Sequence, residues 1–156
     1  MNACKNAPDQ VLYHFCAAKC VRGILKDGLT LGMTPIFENG KLILKERSQW
    51  LTIEKDPAKQ SWNTHNLVSY SRTAYRLTVR IPGSFGKKLF HASDYLTRYP
   101  KENAHLVEDF AGSASWYVYD GAIPAKWIVA ANQPYQPVQT PHDVDVDEKS
   151  GQPAKE

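Results

Sequence analysis

Residues 11–29, VLYHFCAAKCVRGILKDGL, decide the fold. Val11 to Phe15 are β-branched, apolar or aromatic, and predict a short buried strand. From Ala17 to Asp27 the period changes. Cys20, Val21, Ile24 and Leu25 form one apolar helix face, while Lys19, Arg22 and Lys26 lie on the other. Gly28 follows as the expected left-handed cap. His14 is a polar ring in a strand where an apolar residue would cost less to bury, and it marks a candidate site.

Outward from this stretch, residues 1–10 read as a loose lead-in. Asn39-Gly40, between Ile36-Phe37 and Leu42-Ile43-Leu44, predicts a small hairpin. Trp50 to Ile53 is the next strand. Asp56-Pro57 opens a short predicted helix ending near Trp62, with Asp56 as cap and Pro57 at the first position. In YRLTVRI, residues 75–81, Tyr75, Leu77, Val79 and Ile81 alternate with Arg76, Thr78 and Arg80. Residues 85–90 suggest a turn and a short strand, and short helices are expected at 92–99 and 103–110. Residues 115–120, SWYVYD, and 126–130, KWIVA, are the closing strands. Strands outnumber helices without strict alternation, which is an α+β pattern.

The 156 residues fit one domain with a proper core, and 42% hydrophobic content with four Trp agrees. The expected organisation is a folded domain over 1–132 and an acidic, Pro-containing, disordered tail over 133–156. That tail carries Asp143, Asp145, Asp147, Glu148 and Glu156 against two lysines, so the preceding 132 residues hold 17 basic and 11 acidic side chains. A modestly basic body suits an anionic ligand such as a nucleotide, and equally a solvated basic face. No apolar run is long enough to span a membrane. The first ten residues lack the apolar core of a signal peptide, and three cysteines without framework spacing fit a reducing cytoplasm.

Tyr13-His14-Phe15, followed by a helix ending in Ile24-Leu25-Lys26-Asp27-Gly28-Leu29, resembles the opening of ADP-ribosyltransferase-like domains. Trp50-Leu51-Thr52 resembles their second strand motif, and residues 115–128, SWYVYDGAIPAKWI, their closing strands. The likeness extends to poly(ADP-ribose) polymerase catalytic domains, DarT-type DNA-modifying toxins and, more loosely, RNA 2′-phosphotransferases. It spans residues 11–130, with only the strand pattern matching over 63–112. It implies a split β-sheet with short flanking helices and NAD in a cleft between two half-sheets. It also implies a protein or nucleic-acid acceptor, as for a bacterial or phage effector or toxin.

Residue by residue, the resemblance places His14, flanked by Tyr13, on the adenosine ribose and the backbone of Phe15 on the nicotinamide amide. Thr52 takes the second-strand position, and Trp62 falls near an aromatic that stacks on nicotinamide. Arg76 and Arg80 suit a phosphate or diphosphate, against the alternative of a solvated strand face. Ser115 stands where those enzymes carry a catalytic Glu, five residues before Asp120. A serine hydrogen-bonds but supplies no negative charge to an oxocarbenium-like transition state. His14, Ser115 and Arg76 are therefore the expected catalytic positions, and a module of the same fold that binds a nucleotide, ADP-ribose or a protein without transfer is the alternative. Glu54, Glu108 and Asp109 are candidate substitutes for the missing acid.

Two further chemistries compete. A nuclease-like toxin would use His14, His91 or His105 with a lysine. Zinc would need more ligands than His14, Cys16 and Cys20 provide, so core thiols are the expectation and no metal is assigned.

Overall fold

The computed structural model describes residues 7–59, 72–96, 112–134 and 138–139. Within them the chain is mixed α+β, with a mostly antiparallel sheet and few helices. The strands are β1 (Gln10–Cys16), β2 (Met33–Glu38), β3 (Lys41–Glu46), β4 (Ser48–Thr52), β5 (Tyr75–Ile81), β6 (Leu89–His91), β7 (Trp116–Asp120), β8 (Ile128–Asn132) and β9 (Val138–Gln139). The helices are α1 (Ala18–Asp27) and α2 (Ala92–Leu96).

Seven strands form one sheet in the order β6-β7-β4-β1-β5-β8-β9, and β2 and β3 form a separate hairpin. β1 and β5 pair along their whole length, from Gln10↔Ile81 to Cys16↔Tyr75. β4 and β7 pair throughout, from Ser48↔Asp120 to Thr52↔Trp116. Between these two well-paired halves the register holds one pair only, Tyr13↔Thr52. Beyond it β1 runs on for three residues, to Cys16, and β4 reaches four residues back, to Ser48, without the two pairing again. The sheet is thus divided at the β1–β4 seam.

Strand alternation sorts the side chains onto two faces. On one face Leu12, Leu51, Leu77, Val79, Tyr119 and Ala131 pack with Val21 of α1 and with Ile123 and Trp127. On the other, Trp116 and Val118 pack with Ile36 of the hairpin and Ala92, Tyr95 and Leu96 around α2. Among the described residues the second cluster covers only the β4–β7–β6 side. Over β1 and β5 the same face carries the half-buried Tyr13, Arg76 and Thr78 and the exposed Arg80.

The opening stretch folds as expected, with two refinements. Val21 is the buried centre of the helix stripe and Ile24 and Leu25 flank it, while Cys20, at the stripe's margin, is exposed. Gly28 does not take the left-handed helical conformation. Its φ of 86° and ψ of −173° lie in a region open to glycine alone, and its N–H closes the helix on the Ile24 carbonyl at 2.7 Å. A Cβ here would stand 2.1 Å from the Ile123 carbonyl oxygen. The next residue, Leu29, exchanges two 2.9 Å backbone hydrogen bonds with Ile123, which pins the end of α1 to the loop after β7.

The hairpin turns at Asn39 and Gly40, both at positive φ (54° and 75°), as two-residue hairpins require. Elsewhere the boundaries move. The helix expected after Asp56 is a single 3-10 turn, Pro57–Lys59, before the described residues end, and Asp56 caps it by accepting the Ala58 N–H at 2.9 Å. Residues 83–88 form a 3-10 helix ahead of β6, and Ala125–Trp127 is a 3-10 turn, so the last predicted strand starts later, at Ile128. The expected boundary at 132 does not end the sheet, because β9 pairs with β8. The predicted helix at 103–110 lies outside the described residues.

Candidate functional site

The seam between β1 and β4 gathers most of the residues singled out in the sequence. His14 directly follows the last paired residue, Tyr13. Its Nδ1 lies 2.9 Å from the Trp50 carbonyl oxygen, in the stretch where the strands no longer pair. A carbonyl only accepts, so Nδ1 carries the proton and, in the neutral ring, Nε2 carries the lone pair. Burial holds the imidazole below its ordinary pKa, with the Trp50 carbonyl pulling weakly the other way. The ring is a neutral bridge across the stretch where β1 and β4 are no longer paired.

At the other end of β4, Thr52 and the turn before β7 form a chain of hydrogen bonds. Ser115 donates its hydroxyl to the Gly112 carbonyl at 2.8 Å. With that proton committed, the 3.0 Å contact between Thr52 Oγ1 and Ser115 Oγ has Thr52 as donor. Thr52 Oγ1 in turn accepts the Glu54 N–H at 3.0 Å. The Ile53 N–H donates to the Ser115 carbonyl at 3.1 Å and ties the two segments a second time. Both hydroxyl protons are spent inside the protein.

Glu54 is next to this chain by its backbone, but its carboxylate is turned aside. Oε1 accepts the Asp56 N–H at 2.9 Å and Oε2 lies 3.9 Å from Lys59 Nζ. Glu108 and Asp109 lie outside the described residues.

A cationic group sits on the opposite side of Tyr13 from the core. Phe15 stands opposite Arg76 and Tyr13 opposite Thr78, so Arg76 is the diagonal neighbour of Tyr13 on one face. Arg76 Cζ lies 5.6 Å and Lys55 Nζ 5.7 Å from the centre of the Tyr13 ring. Arg76 Nη1 donates to the Lys55 carbonyl at 3.0 Å, while its buried Nε has no hydrogen-bond partner. Among the described residues neither cation has a carboxylate partner. Two positive charges over one ring, with no counter-charge among the described residues, are suited to a bound anion.

The structure also separates residues that were expected together. His14 faces Leu77 on the core side, so it and Arg76 lie on opposite faces of the β1–β5 pair. Arg80 shares the face of Arg76 but is exposed, and four residues along a strand place it roughly 13 Å away, beyond a shared phosphate. Trp62 and His105 lie outside the described residues. His91 has both nitrogens engaged, Nδ1 with Ser93 Oγ at 2.8 Å and Nε2 donating to the Ala114 carbonyl at 2.7 Å. It braces the turn that carries Ser115. Among the described residues no three His, Cys, Asp or Glu side chains cluster as metal ligands. Lys55 was missed in the sequence, where one lysine in a polar loop carries no signal; only its backbone link to Arg76 places it on Tyr13.

Comparison of the chain with protein-family models, curated proteins and solved structures finds no match in any of the three. Among the described residues no helix is long and apolar enough to cross a membrane.

Proposed function

We propose that this chain is an ADP-ribosyltransferase-like protein that binds NAD or a closely related nucleotide in the seam between β1 and β4. The observation that carries the proposal is the single Tyr13↔Thr52 pair with His14 bridging the opening beyond it. A sheet divided at that point agrees with the cleft implied by the sequence motifs. Nε2 of His14 is then an acceptor for a ribose hydroxyl, Arg76 with Lys55 meets the phosphates, and Phe15 lines the opening. Trp62 keeps its proposed stacking role from the sequence alone. A protein or nucleic-acid acceptor belongs to the same proposal.

Titration calorimetry with NAD tests it. Saturable binding is expected, weakened at least tenfold in His14→Ala and in Arg76→Ala. Equal affinity for wild type and His14→Ala removes His14 from the site, and absence of binding to the wild type removes the proposal.

A second reading is favoured by the Thr52–Ser115 chain. Where a carboxylate is needed to stabilise the charge that develops as nicotinamide leaves, there is a neutral hydroxyl with its proton already donated. On that ground the seam binds without transferring ADP-ribose. Incubation with labelled NAD and cell extract is expected to leave acceptors unlabelled. Label transfer or nicotinamide release would overturn the second reading and leave the first standing.

A further inference from the structure

We propose that Ser93 is an activated nucleophile, with His91 as its general base, in a site that hydrolyses carboxylic esters. One carbonyl fixes the direction of the hydrogen bonds. His91 Nε2 lies 2.7 Å from the Ala114 carbonyl oxygen, which only accepts, so Nε2 carries the ring proton. In the neutral imidazole Nδ1 is then the lone-pair nitrogen, and its 2.8 Å contact with Ser93 Oγ has the serine hydroxyl as donor. Ser93, His91 and the Ala114 carbonyl are thus ordered as nucleophile, base and orienting group. The hydroxyl protons of Ser48 and Ser115 go to the backbone carbonyls of Lys45 and Gly112, which cannot take a proton. That of Ser93 goes to a nitrogen that can.

The backbone holds the pair where a substrate can reach it. β6 is the end strand of the sheet, and α2 begins directly after it, with His91 closing the strand and Ser93 second in the helix. Ala92 between them is fully buried, while His91 and Ser93 each keep part of their surface exposed. Tyr117, opposite His91 in the β6–β7 ladder, meets the imidazole edge-on with 5.3 Å between ring centres and steadies its orientation. The orienting group selects the substrate class. A neutral carbonyl stabilises the imidazolium less than a carboxylate would, so the base suits an ester, whose alcohol leaves more readily than an amine. Ser93 Oγ bonds to the ester carbonyl carbon as its proton passes to His91 Nδ1. The bond to the alcohol oxygen breaks, and that oxygen takes the proton. Water then bonds to the acyl carbon, giving its proton to Nδ1, and the acyl–Oγ bond breaks. Oγ recovers the proton and the carboxylic acid leaves. β7 lies between this site and the β1–β4 seam, and the reaction needs no nucleotide.

Labelling of the full chain with a fluorophosphonate, which traps an activated serine as an Oγ–P adduct with loss of fluoride, tests the assignment when the adduct is located by peptide mapping. The native wild type is expected to carry the adduct on Ser93 and to lose this reactivity in denaturant, a comparison that needs no variant. His91→Gln, with its fold checked by circular dichroism, is expected to react about 100-fold more slowly. Hydrolysis of p-nitrophenyl acetate should fall in the same variant and disappear in Ser93→Ala. An unlabelled Ser93 in the native wild type, labelling as fast in denaturant, or an undiminished rate in folded His91→Gln would each overturn the nucleophile. A Ser93 adduct without ester hydrolysis would overturn the ester as its substrate.

Discussion

Thr52 and Ser115, 63 positions apart in the chain, hold their hydroxyl oxygens 3.0 Å apart across the start of the β4–β7 ladder. The pair is part of a directional series running from the Glu54 N–H to the Gly112 carbonyl, so each member depends on the next. Removing either hydroxyl leaves a partner to be satisfied by water. Thr52→Val and Ser115→Ala are each expected to cost about 1–2 kcal/mol, with a coupling of about 1 kcal/mol in the double-mutant cycle. Urea unfolding of the four proteins measures both. Strict additivity would mean the two hydroxyls act separately.

His14 makes stability depend on pH in a definite direction. Its folded pKa lies below the ordinary value of 6.5, chiefly through burial. Below pH 6.5 the unfolded chain takes up a proton that the folded one refuses, so this contribution is fully present above 6.5 and falls away as pH drops toward the folded value. His14→Asn, whose side-chain amide can still donate toward Trp50, should flatten this segment of the stability profile. Denaturant midpoints at pH 7.5, 6.5 and 5.5 compare the two proteins, and parallel declines would assign the acid sensitivity to another group.

Cys16, at the end of β1, and Cys20, in the first turn of α1, should differ widely in reactivity. Burial, with Cys20 nearby, pushes the Cys16 thiol up to about 12, whereas Cys20 is exposed on α1. Iodoacetamide at pH 8 followed by peptide mapping should find Cys20 modified and Cys16 intact in the native protein, and both modified in denaturant. Comparable native rates at the two sites would show that β1 opens readily at its end.

Gly28→Ala is expected to be among the most damaging single substitutions. The backbone conformation is one that only glycine occupies easily, and the added carbon collides with the fixed carbonyl of Ile123. A cost of about 3 kcal/mol or more follows from strain and clash together. Gly23→Ala is the matched control on the same segment, since no atom lies within 4 Å of a Cβ there. Thermal melts of the pair should separate by many degrees.

Much of the architecture was legible because local chemistry dictates it. The period change after Phe15, the Asn39-Gly40 turn and the alternation of Tyr75 to Ile81 each hold within a few residues, and each appears in the described structure. The 3-10 turns were misread where a run such as Lys126 to Ala130 has strand-like composition but begins just after Pro124, whose ring favours a turn. The seam itself could not be read. Its character lies in which strand neighbours β1 and for how many residues, a property of pairings 39 positions apart at Tyr13 and Thr52. His14 stood out as a misplaced polar ring, but its partner, the Trp50 carbonyl, is backbone and leaves no mark in a sequence. The placement of Lys55 and Arg76 over Tyr13 was hidden for the same reason.

The order of the strands gives the divided sheet a mechanical property. One half consists of β6, β7 and β4, the other of β1, β5, β8 and β9. The chain travels between them from β1 to β4, back to β5, out again to β6 and home from β7 to β8. Neither half is a continuous piece of polypeptide, so neither can be excised or fold to completion without the other. The junction is sparse in hydrogen bonds yet laced by covalent chain, like a book whose leaves are sewn but not glued.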